Sequence, residues 1–201
     1  MMFDDSFKEA IRSRKYHRPN DYELPPESVF GWKQTLMLLD THPDNHRVLN
    51  GSKLSFTLTA IEQRNSAPAF VKDIIKELKS TFPSNSITTH FFGGFTNKSK
   101  SFRIHRDVMD VLYLQVLGNV EWSMWEPKDV EYYKDDSKKN LSKEEANLLY
   151  TSTFKPGSMI WVPRGQYHLV EPYGTRLGIS FGIEGNIEAS LSRNVRVSKN
   201  V

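Results

Sequence analysis

From residue 86 onward the chain alternates short apolar runs with turn-forming residues. SITTHFFGGF, SFRIHRD, VLYLQVLG, NVEWSMW, LLYTSTF, SMIWVP, YHLVEP and TRLGISFGI are rich in β-branched and aromatic residues, and Gly, Pro and Asn punctuate them. That pattern predicts strands, and many short strands in close order predict a sandwich or jelly roll. Before residue 86 the rhythm differs. APAFVKDIIKELKSTF sets Phe70, Ile74, Ile75 and Leu78 at helical spacing ahead of Pro83, which predicts an amphipathic helix. SFKEAIRSRKYHRP predicts a short helix ending before Pro19, because the residue preceding a proline disfavours helical dihedrals. KLSFTLTAI alternates as a strand does. SVFGWKQTLMLLDT fits a strand or a buried helical turn, since periodicity does not separate the two in a short apolar run.

One polar stretch interrupts the strands. EPKDVEYYKDDSKKNLSKEEAN is too charged for a core strand and predicts an exposed loop. Ser142 and Glu145 have the spacing of a capping box, so a helix is expected to start there. The length and charge of the loop from Asp129 to Asn147 predict mobility at the border of a substrate entrance. The fold class expected is mainly β (α+β), in three parts. Residues 1–85 supply helix and strand elements packing on the barrel, 86–185 form the barrel itself, and 186–201 are a polar, basic tail.

Composition narrows the possibilities. With 201 residues, 38% hydrophobic and 25% charged, the chain is globular rather than disordered. A net charge of +3 permits a nucleic-acid partner without indicating one. There is no cysteine, so any metal must be held by His, Asp or Glu. MMFDDSFKEA lacks the apolar run of a signal peptide, and no apolar stretch is long enough for a membrane helix. A cytoplasmic protein without membrane attachment is expected.

The candidate chemistry sits at the opening of one apolar strand. His105 and Asp107 are two residues apart, and on a strand that puts both on one face. His168 follows a Pro-Arg-Gly turn 63 positions later. Two imidazoles and one carboxylate converging from separate strands make a facial triad, the ligand set of non-haem Fe(II). Taken singly, a His-x-Asp triplet is a common accident and His168 a common type of core histidine. The other histidines, His17, His42, His46 and His90, read as non-ligands. Trp122, Trp125 and Trp161 read as core, since aromatic side chains usually fill a barrel.

The ordered set of motifs is more specific. HRDVMDVLYLQVLGNVEWSMW, FKPGSMIWVPRGQYHLV and LGISFG together resemble the JmjC (cupin-like) family of Fe(II)- and 2-oxoglutarate-dependent oxygenases, in its hydroxylase branch. The matching positions are His105 and Asp107, Gln115 with Gly118, Trp122, Pro156 with Gly157, Pro163 with Gly165, and His168. The resemblance covers about residues 86–184. It implies a double-stranded β-helix, iron held by His105, Asp107 and His168, and turnover of 2-oxoglutarate to succinate and CO2. A protein or peptide side chain is the substrate it implies; a small molecule or tRNA base is the alternative. So is a cupin-like metal-binding module without 2-oxoglutarate turnover.

The chain departs from that branch at one position. The cosubstrate's distal carboxylate needs a cation when buried. The branch usually places Lys or Arg fifteen residues after the first histidine, where this chain has Val120. Arg176, on the last presumed barrel strand, is the favoured replacement. Arg103, with the strand parity of His105, is the second. Tyr113 and Thr89 are candidates for a hydrogen bond to the same carboxylate, and Ser180 for a place near the iron.

Overall fold

The computed structural model describes residues 3–41, 46–50, 55–63, 65–99, 102–135 and 137–185. Three helices come first or early: α1 (Asp5–Arg12), α2 (Trp32–Thr41) and α3 (Ala69–Thr81). Eleven strands are described: β1 (His46–Asn50), β2 (Ser55–Thr59), β3 (Ser86–Gly94), β4 (Ile104–Arg106), β5 (Asp110–Leu117), β6 (Val120–Pro127), β7 (Asn140–Leu141), β8 (Ala146–Phe154), β9 (Met159–Val162), β10 (Tyr167–Pro172) and β11 (Arg176–Glu184). They form two antiparallel sheets, ordered β1-β2-β3-β11-β5-β9 and β7-β4-β10-β6-β8. The expected mainly β architecture with helical N-terminal elements is what the chain adopts, and β1 and β2 extend the first sheet.

Three apolar layers hold these elements together. The first sheet packs its outer face on α1 and α3 through Phe7, Ile11, Phe70, Ile74, Leu78, Phe91, Leu114 and Phe181. The space between the sheets is filled by Val111, Tyr113, Val120, Trp122, Met124, Phe154, Ile160 and Val162. A smaller layer, with Trp125, Leu141, Tyr167 and Leu169, lies outside the second sheet. This explains why β5 is buried at every position and reads as a continuous apolar run: one of its faces meets the helices and the other lines the barrel.

The helices follow their local chemistry. In α3, Phe70, Val71, Ile74 and Leu78 form the buried stripe. The ambiguous segment around Trp32 is helical; Lys, Gln, Leu and Met favour helix, and Thr35 and Leu38 supply its buried contacts. Asp4 caps α1 by accepting from the Phe7 amide at 2.9 Å.

No helix starts at Ser142. The Ser142 amide does donate to the Glu145 carboxylate (2.9 Å), but the pair closes a turn into β8. The loop before it carries a 3-10 turn at Val130–Tyr133 and is fastened at several points. Arg106 donates to the carbonyls of Tyr133 and Asp135, both at 2.8 Å, the Tyr167 hydroxyl donates to the Lys138 carbonyl, and Leu141 is buried. These are points of attachment of the loop among the described residues. The tail 186–201 and His42 lie outside the described residues. Among the described residues no helix is long and apolar enough to cross a membrane.

Candidate metal centre and the buried groups behind it

Strands β4 and β10 are antiparallel neighbours, and their register pairs His105 directly with His168. The two imidazole rings have centroids 4.3 Å apart. Asp107 follows β4 and turns its carboxylate between them, 3.7 Å from His105 Nε2 and 3.5 Å from His168 Nε2. One ligand atom from each residue falls within 4.8 Å of the others, so a single ion could touch all three.

The tautomers suit metal binding. His105 Nδ1 lies 3.0 Å from the Arg103 carbonyl, and His168 Nδ1 lies 3.0 Å from the Gln166 carbonyl. A carbonyl oxygen only accepts, so each Nδ1 carries a proton, and Nε2 is the nitrogen left facing Asp107. Carbonyl partners of this kind orient metal-ligating imidazoles. Burial drives the His105 pKa down to about 4, the His168 ring adds to that, and Asp107 opposes it. The imidazole is therefore neutral near pH 7 and free to donate its lone pair. Trp122 stacks on His168 at 5.3 Å and braces it from inside the barrel.

A turn ties the ligand-bearing segments together. Gly165 has φ +86°, in the left-handed region that glycine tolerates. Its amide donates to the Asp107 carbonyl (3.0 Å), and the Gln166 amide donates to the Pro163 carbonyl (3.0 Å).

Register decides what lies behind the metal centre. In β11, Leu177, Ile179, Phe181 and Ile183 face the helices, so the alternate residues Arg176, Gly178 and Ser180 face the barrel. Arg176 is 2% exposed. It donates to the carbonyls of Phe92 (3.3 Å) and Ser99 (3.2 Å). Tyr113 projects from the facing position of β5, opposite Ser180, and leans over Gly178. Its hydroxyl donates to Gln115 Oε1 at 2.5 Å, and Gln115 Nε2 donates to the carbonyls of Leu117 (2.7 Å) and Gly118 (3.1 Å). Burial pushes the Tyr113 pKa up to about 12, although Arg176 and Trp122 pull the other way. The group is a neutral phenol beside a buried guanidinium.

Two expected residues lie elsewhere. Thr89 pairs with Phe181 and shares the helix-facing side of the sheet. Its hydroxyl accepts from the Ile61 (3.1 Å) and Glu62 (3.2 Å) amides and donates to the Glu62 carboxylate. It therefore anchors the 3-10 turn Ile61–Gln63, away from Arg176. Arg103 is exposed and precedes β4, so strand parity does not apply to it; its carbonyl, not its guanidinium, serves the site. Val120 is fully buried in the apolar barrel layer. Trp125 and Trp161 belong to the outer layers, as expected of core.

Sequence reasoning missed three features. The motif position of Gln115 does not reveal its task, which is to hold the Tyr113 hydroxyl. Gly178 does carry a signal in the sequence, because a glycine inside a strand marks close approach of another group. His90, set aside, faces the barrel opposite Ser180, within the field of Asp107, Glu62 and Glu184; burial nevertheless holds its pKa down.

Residues 62–191 match the family model for the JmjC domain. A 72-residue stretch is 35% identical to the bifunctional lysine-specific demethylase and histidyl-hydroxylase NO66 of Dictyostelium discoideum, covering 35% of this chain and 14% of that protein. The Escherichia coli ribosomal oxygenase YcfD, solved with cobalt and 2-oxoglutarate, superposes with a TM-score of 0.61 at 11% identity. That superposition covers 92% of this chain and 53% of YcfD, and at such low identity it speaks for the fold. The chain thus spans a small part of the one relative and about half of the other.

Proposed function

The chain belongs to the JmjC domain family, and from that premise we propose that it is an Fe(II)- and 2-oxoglutarate-dependent oxygenase that hydroxylates a protein or peptide side chain. The observation that carries this reading is the convergence of the His105 and His168 Nε2 atoms on the Asp107 carboxylate. Three protein ligands with two nitrogens and one oxygen suit Fe(II) and leave positions open for other ligands. When bound, the iron would supply the oxidising chemistry with dioxygen as oxidant, one oxygen atom going to the substrate and the other to the succinate formed, with CO2, from 2-oxoglutarate.

The chain's own residues have separate tasks. His105 and His168 would hold the metal through Nε2, and the Arg103 and Gln166 carbonyls accept from Nδ1 and orient the rings. Asp107 contributes the negative charge. Arg176 receives the distal carboxylate of 2-oxoglutarate; burying that group without a cation would be costly. The Tyr113 hydroxyl, neutral throughout the physiological range, adds a hydrogen bond beside it. Val120 supports this assignment, because the apolar wall there offers no cation of its own. The apolar lining of Trp122, Met124 and Phe154 keeps water from the space between the sheets. A protein substrate is consistent with NO66 being named a histidyl-hydroxylase and YcfD a ribosomal oxygenase.

The test is succinate formation from 2-oxoglutarate with Fe(II) and ascorbate, followed by mass spectrometry of candidate protein substrates for the gain of one oxygen atom. His105→Ala and Asp107→Ala are expected to abolish turnover. Full turnover in Asp107→Ala, or wild-type protein that binds no divalent ion, would refute the reading.

A further inference from the structure

Asp110 opens β5, three residues after Asp107, and is only 3% exposed. A carboxylate at that depth must be matched by donors. Two are present on a single oxygen. Arg14 reaches Oδ1 at 2.9 Å, and the backbone N–H of Arg164 donates to the same atom at 2.9 Å. Arg164 is the middle residue of the Pro163–Gly165 turn, whose Gly165 amide holds the Asp107 carbonyl. The next residue, Gln166, offers the carbonyl that orients His168. Asp110 thus grips from one side a turn that touches the backbone of one ligand and orients the ring of another.

The partner that reaches Asp110 sits in a conformation that ordinarily selects against its side chain. Arg14 has φ +54°. The Arg14 amide donates to the Ile11 carbonyl (3.1 Å) and the Lys15 amide to the Ala10 carbonyl (3.0 Å), which is a Schellman end to α1. Glycine usually occupies that left-handed position, and another residue there is strained by about 1–2 kcal/mol. The ion pair with Asp110 is what an arginine gains in its place.

We propose that Asp110 is a positioning residue of the metal centre. Its carboxylate clamps the Pro163–Gly165 turn to the start of β5, with Arg14 as counterion, and so sets the separation of Asp107 from His168. This rests on the metal-site reading given above. Asp110 touches neither metal nor substrate; it acts through Arg164 and Gly165.

The experiment is calorimetric titration of the full chain with Co(II), without 2-oxoglutarate, on wild type, Arg14→Ala and the double variant Arg14→Ala/Asp110→Ala. Removing both charges leaves no uncompensated ion, so the double variant is expected to fold. Arg14→Ala should be less stable, because it leaves the buried Asp110 carboxylate without its counterion, but the folded protein should bind Co(II) nearly as wild type does, since the Arg164 N–H still holds the carboxylate. Adding Asp110→Ala should weaken Co(II) binding by about 10–100-fold, the usual range for outer-shell partners. Amide exchange at Arg164 should quicken in the double variant alone. If the double variant binds Co(II) as tightly as wild type, the clamp is overturned while the metal site stands. Wild type that fails to bind Co(II) would instead overturn the metal site itself, and this proposal with it.

Discussion

Gly178→Ala tests the packing of the barrel interior most directly. A Cβ at Gly178 would stand 2.0 Å from the Tyr113 hydroxyl oxygen, 2.4 Å from its Cζ and 2.6 Å from its Cε2. Ordinary contact needs more than an ångström beyond that. The ring has little room to retreat, for Tyr113 is 2% exposed and packs against Trp122 at 4.8 Å. Overpacking of this kind costs about 1–3 kcal/mol. Prising the hydroxyl from Gln115 leaves a buried polar group unmet, which costs about 1–3 kcal/mol more. The expected destabilisation is about 2–6 kcal/mol, a substantial part of the stability of an ordinary domain. Denaturant melts of the single and double variants measure it. In a Tyr113→Leu background the clashing atoms are gone, so Gly178→Ala should cost at least about 1 kcal/mol less there than in wild type. A Gly178→Ala protein as stable as wild type, or fully additive costs, would refute the close packing of Tyr113 over β11.

Two further outcomes follow from the site. Arg176→Met is expected to weaken 2-oxoglutarate binding to the anaerobic Co(II) protein by about 10–150-fold, the loss of one charge-assisted contact of about 1.5–3 kcal/mol, with Co(II) affinity unchanged; unaltered 2-oxoglutarate affinity would remove Arg176 from the proposed cosubstrate site. Thr89→Val should lower stability by about 1–3 kcal/mol, because the Ile61 and Glu62 amides lose their acceptor, and should leave 2-oxoglutarate affinity untouched; weakened binding would restore Thr89 to the site.

What the chain itself determined was local and periodic. The α3 stripe, the strand runs and the His-x-Asp pair are set by spacing along one segment, and the helix and strand repeats turn spacing into a face. The ordered motifs from His105 to His168 added the family and, with it, the barrel. Parity could not say which layer a face meets. Thr89 and Arg176 lie on neighbouring strands of one sheet, yet Thr89 turns to the helices and Arg176 to the barrel. Arg103 escaped the rule because β4 starts one residue later. At Ser142 the capping pair formed, but the chain was drawn into β8, whose ladder with β6 outweighs a local cap. The pairing of His105 with His168, the reach of Tyr113 across Gly178 and the grip of Asp110 on a turn 54 residues away all depend on strand register. Register is a property of the folded sheets, fixed by which faces are buried together, and no single segment carries it.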